Sequence, residues 1–330
     1  MRVRTVDYHT AGEPFRIVVD GAPVLDGETV ADKRVYAQSA PTAEQVRELL
    51  VNEPRGHADM YGCFLEEPDD AGADLGVVFW HKDGYSTACG HGTIALATWA
   101  VETGVVDSDP DGDTDVTIDV PSGRVVGTVR RRSARTVHVA FRNVESYVLA
   151  QGIALDTSRG RVDVDVSYGG AIYASVAAEA VGLAVEPASY TDLIAFGREV
   201  KTILEATPYA EHPTDPRQSG IYGTILYDDL GRTATGPHQR NVTVFADGEV
   251  DRSPCGSGTS ARVALLADDG TLGPGETLTH DSIVGTRFWA QSLSGADTVV
   301  PEVVGTAYRT GEHAFVLDDD DPLQTGFVLR

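Results

Sequence analysis

The pentapeptide Cys-Gly-x-Gly-Thr occurs twice in this chain of 330 residues. The copies are Cys89-Gly90-His91-Gly92-Thr93 and Cys255-Gly256-Ser257-Gly258-Thr259, about half the chain apart. An apolar run follows each copy, Ile94 to Val101 and Ala261 to Ala267, and each run stops at a glycine, Gly104 or Gly270. The pattern predicts a cysteine in a tight glycine turn at the start of a helix, once per half-chain. A duplication of this kind implies two similar α/β domains.

The surrounding elements repeat in the same order. Residues 3–8 and 15–20 read as strands around the polar turn His9 to Pro14. Ala43 to Val51 has helical spacing and leads into the polar loop 52–59. Gly76 to His81 is a strand, and Val116 to Val120 with Gly123 to Val129 forms a hairpin turning at Pro121-Ser122. Residues 137–148 add one or two strands. In the second half, 162–173 is strand-rich, and Thr191 to Leu204 is a helix capped by Thr191 or Asp192. A loop over 208–220 follows, then strands over 223–227 and 242–245 lead to Cys255.

Charge narrows the partners. Fifty acidic residues face 26 basic ones, a formal net charge of −24, and Lys33, Lys82 and Lys201 are the only lysines. Such a surface repels nucleic acid and anionic membranes. Its plain reading is a strongly hydrated, soluble exterior. Abundant Asp with few Lys also suits a halophile's cytoplasm, where molar salt screens the repulsion. No run of 18 apolar residues suggests a membrane span, and Met1 to Asp7 carries no apolar signal core, so the expected location is cytoplasmic. The 42% of apolar residues suffice for a core in each half. Three cysteines do not make a disulfide scaffold, and Cys63, inside Met60 to Leu65, reads as a small buried hydrophobe.

The two turns suit proton transfer at carbon. Unpaired N–H groups and the dipole at a helix start favour thiolate, which can draw a cysteine pKa from about 8.5 down to roughly 3.5–7.5. The same N–H groups can hold a carboxylate. Two opposed turns would share one carboxylate and place a sulfur on each face of its α-carbon. One thiolate would then remove the α-proton and the other thiol would return it from the opposite face, inverting the centre. A zinc site lacks C-x-x-C spacing, with His91 alone adjacent to a cysteine. A redox pair would be oxidative damage rather than function. A cysteine hydrolase leaves the second copy unexplained. A pyridoxal phosphate racemase needs a lysine in a phosphate-binding context, and none of the three has one.

These residues carry a resemblance. His9 to Pro14, Glu53 to Gly62, Ala88 to Thr93 and Asp251 to Thr259 resemble the proline racemase family, with its hydroxyproline 2-epimerases and trans-3-hydroxy-L-proline dehydratases, over nearly the whole chain. The resemblance implies the diaminopimelate-epimerase-like fold: two pseudo-symmetric α/β (α+β) domains, each a curved, mostly antiparallel sheet around a central helix. It implies an N-terminal domain of residues 1–145 plus 305–330, a C-terminal domain of residues 146–304, an active site in the cleft between them, no cofactor, and a homodimer. It makes Cys89 and Cys255 the acid/base thiols, and Gly90, His91, Gly256 and Ser257 the carboxylate cradle. Asp251 becomes the partner of the substrate's ring nitrogen, and Tyr61 and Phe245 line the ring pocket. The plain alternatives are a helix-entry role for Asp251 and a turn role for His91.

Two residues depart from the family pattern, Ala11 in place of glycine and Ala88 in place of methionine. A third feature is a conflict. Gly84 to His91 resembles the dehydratase branch, which typically has threonine at the second base position, where this chain has Cys255. Dehydration needs one base; inversion needs two. The expectation is therefore a two-thiol racemase or epimerase acting on proline or 4-hydroxyproline. A dehydratase of trans-3-hydroxy-L-proline, or a non-catalytic binder of cyclic amino acids, is the alternative.

Overall fold

The architecture is that of a computed structural model describing residues 1–294 and 299–329. The chain forms two compact units, Met1–Val139 with Thr306–Arg330, and Ala140–Gly305. The sequence expectation divides the chain at 145 and 305; the compact units divide it after 139 and after 305.

In chain order the first unit contains β1 (Arg2–Thr10), β2 (Glu13–Asp20), α1 (Val30–Ala37), α2 (Pro41–Val51), β3 (Tyr61–Glu66), β4 (Leu75–His81), β5 (Gly84–Tyr85), α3 (Gly90–Glu102), β6 (Gly112–Val120) and β7 (Gly123–Arg132). Strand β8 (Arg135–Arg142) leads into the second unit. There lie β9 (Tyr147–Thr157), β10 (Gly160–Tyr168), β11 (Ile172–Ala177), α4 (Tyr190–Glu205), β12 (Ile221–Arg232), β13 (Pro237–Phe245), β14 (Glu249–Asp251), α5 (Gly256–Asp268), β15 (Leu278–Ser282), β16 (Arg287–Ser292) and β17 (Pro301–Gly305). Strand β18 (Ala307–Val316) then returns to the first unit.

Each unit is a mixed sheet packed on one buried helix. In the first, β1 pairs antiparallel with β2 and β18, β3 runs parallel to β2, and β4 pairs antiparallel with β3 and parallel with β6. Helix α3 touches β1, β2, β6, β7 and β18. In the second, β9 to β11 pair antiparallel in succession, β12 lies parallel to β11, and β13 pairs antiparallel with β12 and parallel with β15. Helix α5 touches β9, β10, β11, β16 and β17.

The composition of these helices explains their central place. Every residue of α3 from Gly90 to Val101 is buried, as is every residue of α5 from Gly256 to Leu266. A helix apolar on nearly all sides, as α3 is, has no solvent face and must be enclosed, whereas α5 also encloses Arg262, whose guanidinium lies over the Tyr227 ring. Ile94 and Leu96 are fully buried, each contributing about 1.5–3 kcal/mol. The hydroxyls enter this environment because they bond back to their own helix: Thr98 Oγ1 to Ile94 O at 2.9 Å and Ser260 Oγ to Gly256 O at 3.0 Å. Both helices stop where the sequence places a glycine, with φ of +74° at Gly104 and +77° at Gly270, which favours a residue lacking Cβ.

Some details differ from the sequence expectation. Helix α4 starts at Tyr190 with Ser189 at the cap and no side-chain cap bond; Thr191 and Asp192 lie inside the first turn, where the Asp192 charge suits the dipole. Helix α1 is an addition, capped by Thr29, whose Oγ1 accepts from Asp32 N at 3.2 Å. The loop over 208–220 contains two short 3-10 turns, Pro208–Ala210 and Pro216–Gln218. No helix among the described residues is long and apolar enough to cross a membrane.

Candidate active site

Each cysteine of the repeated turn is the N-cap of its central helix. The sulfur accepts from the backbone N–H three residues on, Cys89 Sγ from Gly92 at 3.2 Å and Cys255 Sγ from Gly258 at 3.4 Å. Glycine at that third position gives the sulfur its room. A Cβ on Gly92 would overlap the Phe15 ring and come within 2.6 Å of the Cys89 sulfur. A Cβ on Gly258 would lie 3.0 Å from the Cys255 sulfur. Both cysteines lie outside any disulfide and are buried, as is Cys63, whose thiol pKa burial pushes well up.

Around Cys89 the partner is an imidazole. Both ring nitrogens of His91 lie 3.5 Å from Sγ, so either can donate to a thiolate or accept from a thiol. The ring stands edge-on to Tyr61, 5.0 Å between centroids, and to Phe15 at 5.7 Å. The His91 carbonyl accepts from Thr10 Oγ1 at 2.8 Å, which ties the turn to β1. Tyr61 opens β3, is buried, and hydrogen-bonds Ser86 Oγ through its hydroxyl. That hydroxyl thus has a protein partner.

Around Cys255 the partners are hydroxyls and a carboxylate. Tyr173 OH lies 3.9 Å and Ser257 Oγ 4.0 Å from Sγ, and the two hydroxyls bond each other at 2.7 Å. Asp251, at the end of β14, is buried; its Oδ1 accepts from Ser253 N at 2.8 Å and Ser253 Oγ at 2.7 Å. Ser253 Oγ in turn accepts the Cys255 N–H at 3.0 Å. Asp251 therefore shapes the entry to the turn through a two-step relay. Phe245 ends β13 and stacks on Tyr222 at 5.6 Å, and Tyr222 stands edge-on to Tyr173.

The sequence expectation that the helix start lowers both thiol pKa values is corrected at Cys255. Burial pushes this thiol well up, and the Asp251 charge adds to the rise. The Gly258 N–H and the Thr243 hydroxyl oppose it without prevailing. In a dry site, loss of water outweighs one N–H donor.

A third layer stands behind the second turn. Thr259 Oγ1 donates to Pro254 O at 3.0 Å and lies 2.8 Å from His280 Nδ1. His280 Nε2 lies 2.8 Å from Asn241 Nδ2, an amide donor that also reaches Pro254 O at 3.0 Å. One assignment satisfies all of these: Nδ1 donates to Thr259 and Nε2 accepts from Asn241. Burial, with Arg262 nearby, holds the His280 pKa down to about 3, so the ring is neutral.

The structure thus gathers Gly90, His91 and Tyr61 around Cys89, and Gly256, Ser257 and Asp251 near Cys255, with Phe245 further out behind Tyr222. It adds Ser86, Tyr173, Ser253 and His280, which sequence reasoning did not single out. Nothing in the pentapeptide marks them, because they reach it from other strands and loops. No group of three or more His, Cys, Asp or Glu side chains that could hold a metal occurs among the described residues.

Comparison with known proteins gives a consistent result. The family model described as proline racemase matches residues 5–328. A 3-hydroxyproline 2-epimerase of Burkholderia multivorans is 44% identical over 337 residues, covering 99% of this chain and 98% of its own. A trans-3-hydroxy-L-proline dehydratase of Bacillus thuringiensis subsp. konkukian is 40% identical over 331 residues, covering 98% and 97%. Among solved structures, a hydroxyproline epimerase of Agrobacterium vitis with bound trans-4-hydroxy-L-proline superposes with a TM-score of 0.90 at 29% identity, covering 99% and 96%. A phenazine biosynthesis protein of the PhzF family from Bacillus anthracis, 11% identical with a TM-score of 0.60, shares the fold. Matched over nearly its full length, the chain is an enzyme of the proline racemase family.

Proposed function

We propose that the protein is a cofactor-independent racemase or epimerase that inverts the α-carbon of proline or a hydroxyproline. The observation that carries this reading is the second thiol. Cys255 caps its helix and accepts from its third N–H as Cys89 does. Overall identity does not choose the reaction, since relatives of similar identity are named for epimerisation and for dehydration. Dehydration needs one base on the α-proton, so a second thiol is superfluous there.

In this reading Cys89 and Cys255 serve opposite faces of one α-carbon. The backbone N–H groups of Gly90, His91, Gly256 and Ser257, at the helix starts, hold the carboxylate and the charge that builds on it. Asp251 pairs with the ring ammonium. That pairing has a second effect: the Asp251 charge raises the Cys255 pKa, so a substrate cation beside Asp251 offsets the rise. Tyr61 and Phe245 flank the ring. Cα–H cleavage leaves a carbanion whose electrons enter the carboxylate; the opposite thiol supplies the proton, and each turnover exchanges the protonation states of the two sulfurs.

The test is incubation of the protein with L-proline, trans-4-hydroxy-L-proline and trans-3-hydroxy-L-proline in D₂O. Cα deuteration with changing optical rotation for at least one substrate is expected; no exchange with any of the three would sink the reading. The second reading, dehydration of trans-3-hydroxy-L-proline, has support in the names of several relatives and in the Gly84 to His91 stretch. Its imine product forms an aminobenzaldehyde adduct, which inversion does not.

A further inference from the structure

Tyr173 lies outside the repeated turn but reaches into it. It sits on β11, between β10 and β12, with a fully buried ring. Tyr222 stands edge-on to that ring at 5.6 Å. The hydroxyl is thereby held in place, 2.7 Å from Ser257 Oγ and 3.9 Å from Cys255 Sγ. Ser257 Oγ lies 4.0 Å from the same sulfur, so two hydroxyls and one sulfur form a closed triangle. At the first turn an imidazole lies beside Cys89.

A buried thiolate needs donors, because a charge left without them in a dry site is strongly disfavoured. The backbone supplies one, Gly258 N–H at 3.4 Å, and the Thr243 hydroxyl is a second. We propose that the Tyr173 hydroxyl, paired with Ser257, is a further donor that holds Cys255 as a thiolate when this sulfur acts as the base. Tyr173 is a positioning residue: it acts through Cys255 and not on the substrate. With a neutral thiol, Tyr173 O–H donates to Ser257. When the thiolate forms, Tyr173 O–H turns to the sulfur and Ser257 O–H turns to the Tyr173 oxygen. Two rotors move, and no covalent bond or proton changes hands between protein groups. Burial, reinforced by the neighbouring Cys255, pushes the phenol well up, so it remains an O–H donor throughout the working pH range.

The catalytic consequence rests on the two-thiol function proposed above, but the thiol chemistry does not, and the test separates them. Full-length protein is alkylated with iodoacetamide over a series of pH values, and labelling of each cysteine is read by peptide mass spectrometry. In Tyr173→Phe the Cys255 labelling rate at each pH should fall about tenfold, the loss of thiolate that a one-unit rise in its pKa brings, while that of Cys89 stays fixed. An unchanged Cys255 labelling rate, or an equal fall at Cys89, overturns the proposal. Should Tyr173→Phe fail to fold, Ser257→Ala removes the paired hydroxyl and should slow the labelling of Cys255 alone; no slowing there also overturns it. Because the labelling needs no turnover, a protein inactive on every proline would defeat the proposed function and leave this result standing.

Discussion

Cys89 enters its helix from extended backbone, φ −154° and ψ 97°, whereas Cys255 enters from φ +63° and ψ 107°. The second conformation is unfavourable for a residue with a Cβ, costing on the order of 1–3 kcal/mol, and persists only where neighbours fix it. The neighbours are visible. Ser253 Oγ holds the Cys255 N–H, and Asn241 with Thr259 holds the Pro254 carbonyl. Identical letters consequently do different work in the two copies. Thr93 Oγ1 makes a helical back-bond to Cys89 O at 2.8 Å, while Thr259 Oγ1 anchors the strained entry through Pro254 and His280. The lesson is that a duplicated motif repeats the cap and the sulfur while the surroundings give each sulfur its own polar neighbour, imidazole in one and paired hydroxyls in the other.

Removing a sulfur gives the largest expected effect. Cys89→Ser and Cys255→Ser should each lower inversion by about 10²–10⁴-fold, measured by polarimetry, because inversion needs both faces. A variant that keeps near-normal inversion would break the pairing of the two turns. Next come the third-position glycines. Gly92→Ala meets the rigid Phe15 ring, whereas Gly258→Ala meets the sulfur at 3.0 Å and Ile225 Cδ1 at 3.2 Å. Overpacking should destabilise Gly92→Ala by about 1–3 kcal/mol in thermal melts and Gly258→Ala by less.

Backbone strain sharpens the contrast further. Cys255→Gly relieves the positive φ and should raise the melting temperature, by about 1 kcal/mol of stability, although the proposed function predicts loss of inversion. Cys89→Gly has no strain to relieve and should lower it. The smallest effect is in the pH dependence. The folded pKa of His280, about 3, lies below the ordinary 6.5. Its contribution is complete above pH 6.5 and is lost as pH falls toward 3. Melting temperature measured on acidification should therefore fall less steeply in His280→Asn than in the parent protein.

Much of this was legible in the letters. The central helices announced themselves through glycine turn, apolar run and glycine stop, and β4 through its unbroken apolar run. The hairpin of β6 and β7 follows from Pro121-Ser122 between alternating residues. Helix α1 also carried a signal, Thr29 three residues before Asp32, a form of the reciprocal cap, but its short mixed-polarity sequence has little periodicity. The rise at Cys255 was not legible. A helix dipole can be read from local sequence, but desolvation depends on what covers the sulfur. Tyr173 and His280 were hidden for the same reason: they come to the turn from β11 and β15.

The central claim is that each sulfur serves one face of the α-carbon. It is tested most directly by following deuterium incorporation and optical rotation together, with Cys255→Thr in D₂O and each enantiomer of the preferred substrate in turn. The account predicts that one enantiomer, the one whose α-proton faces Cys89, still exchanges at Cα without inverting. Continued inversion, or exchange of both enantiomers lost to the same degree, would contradict it.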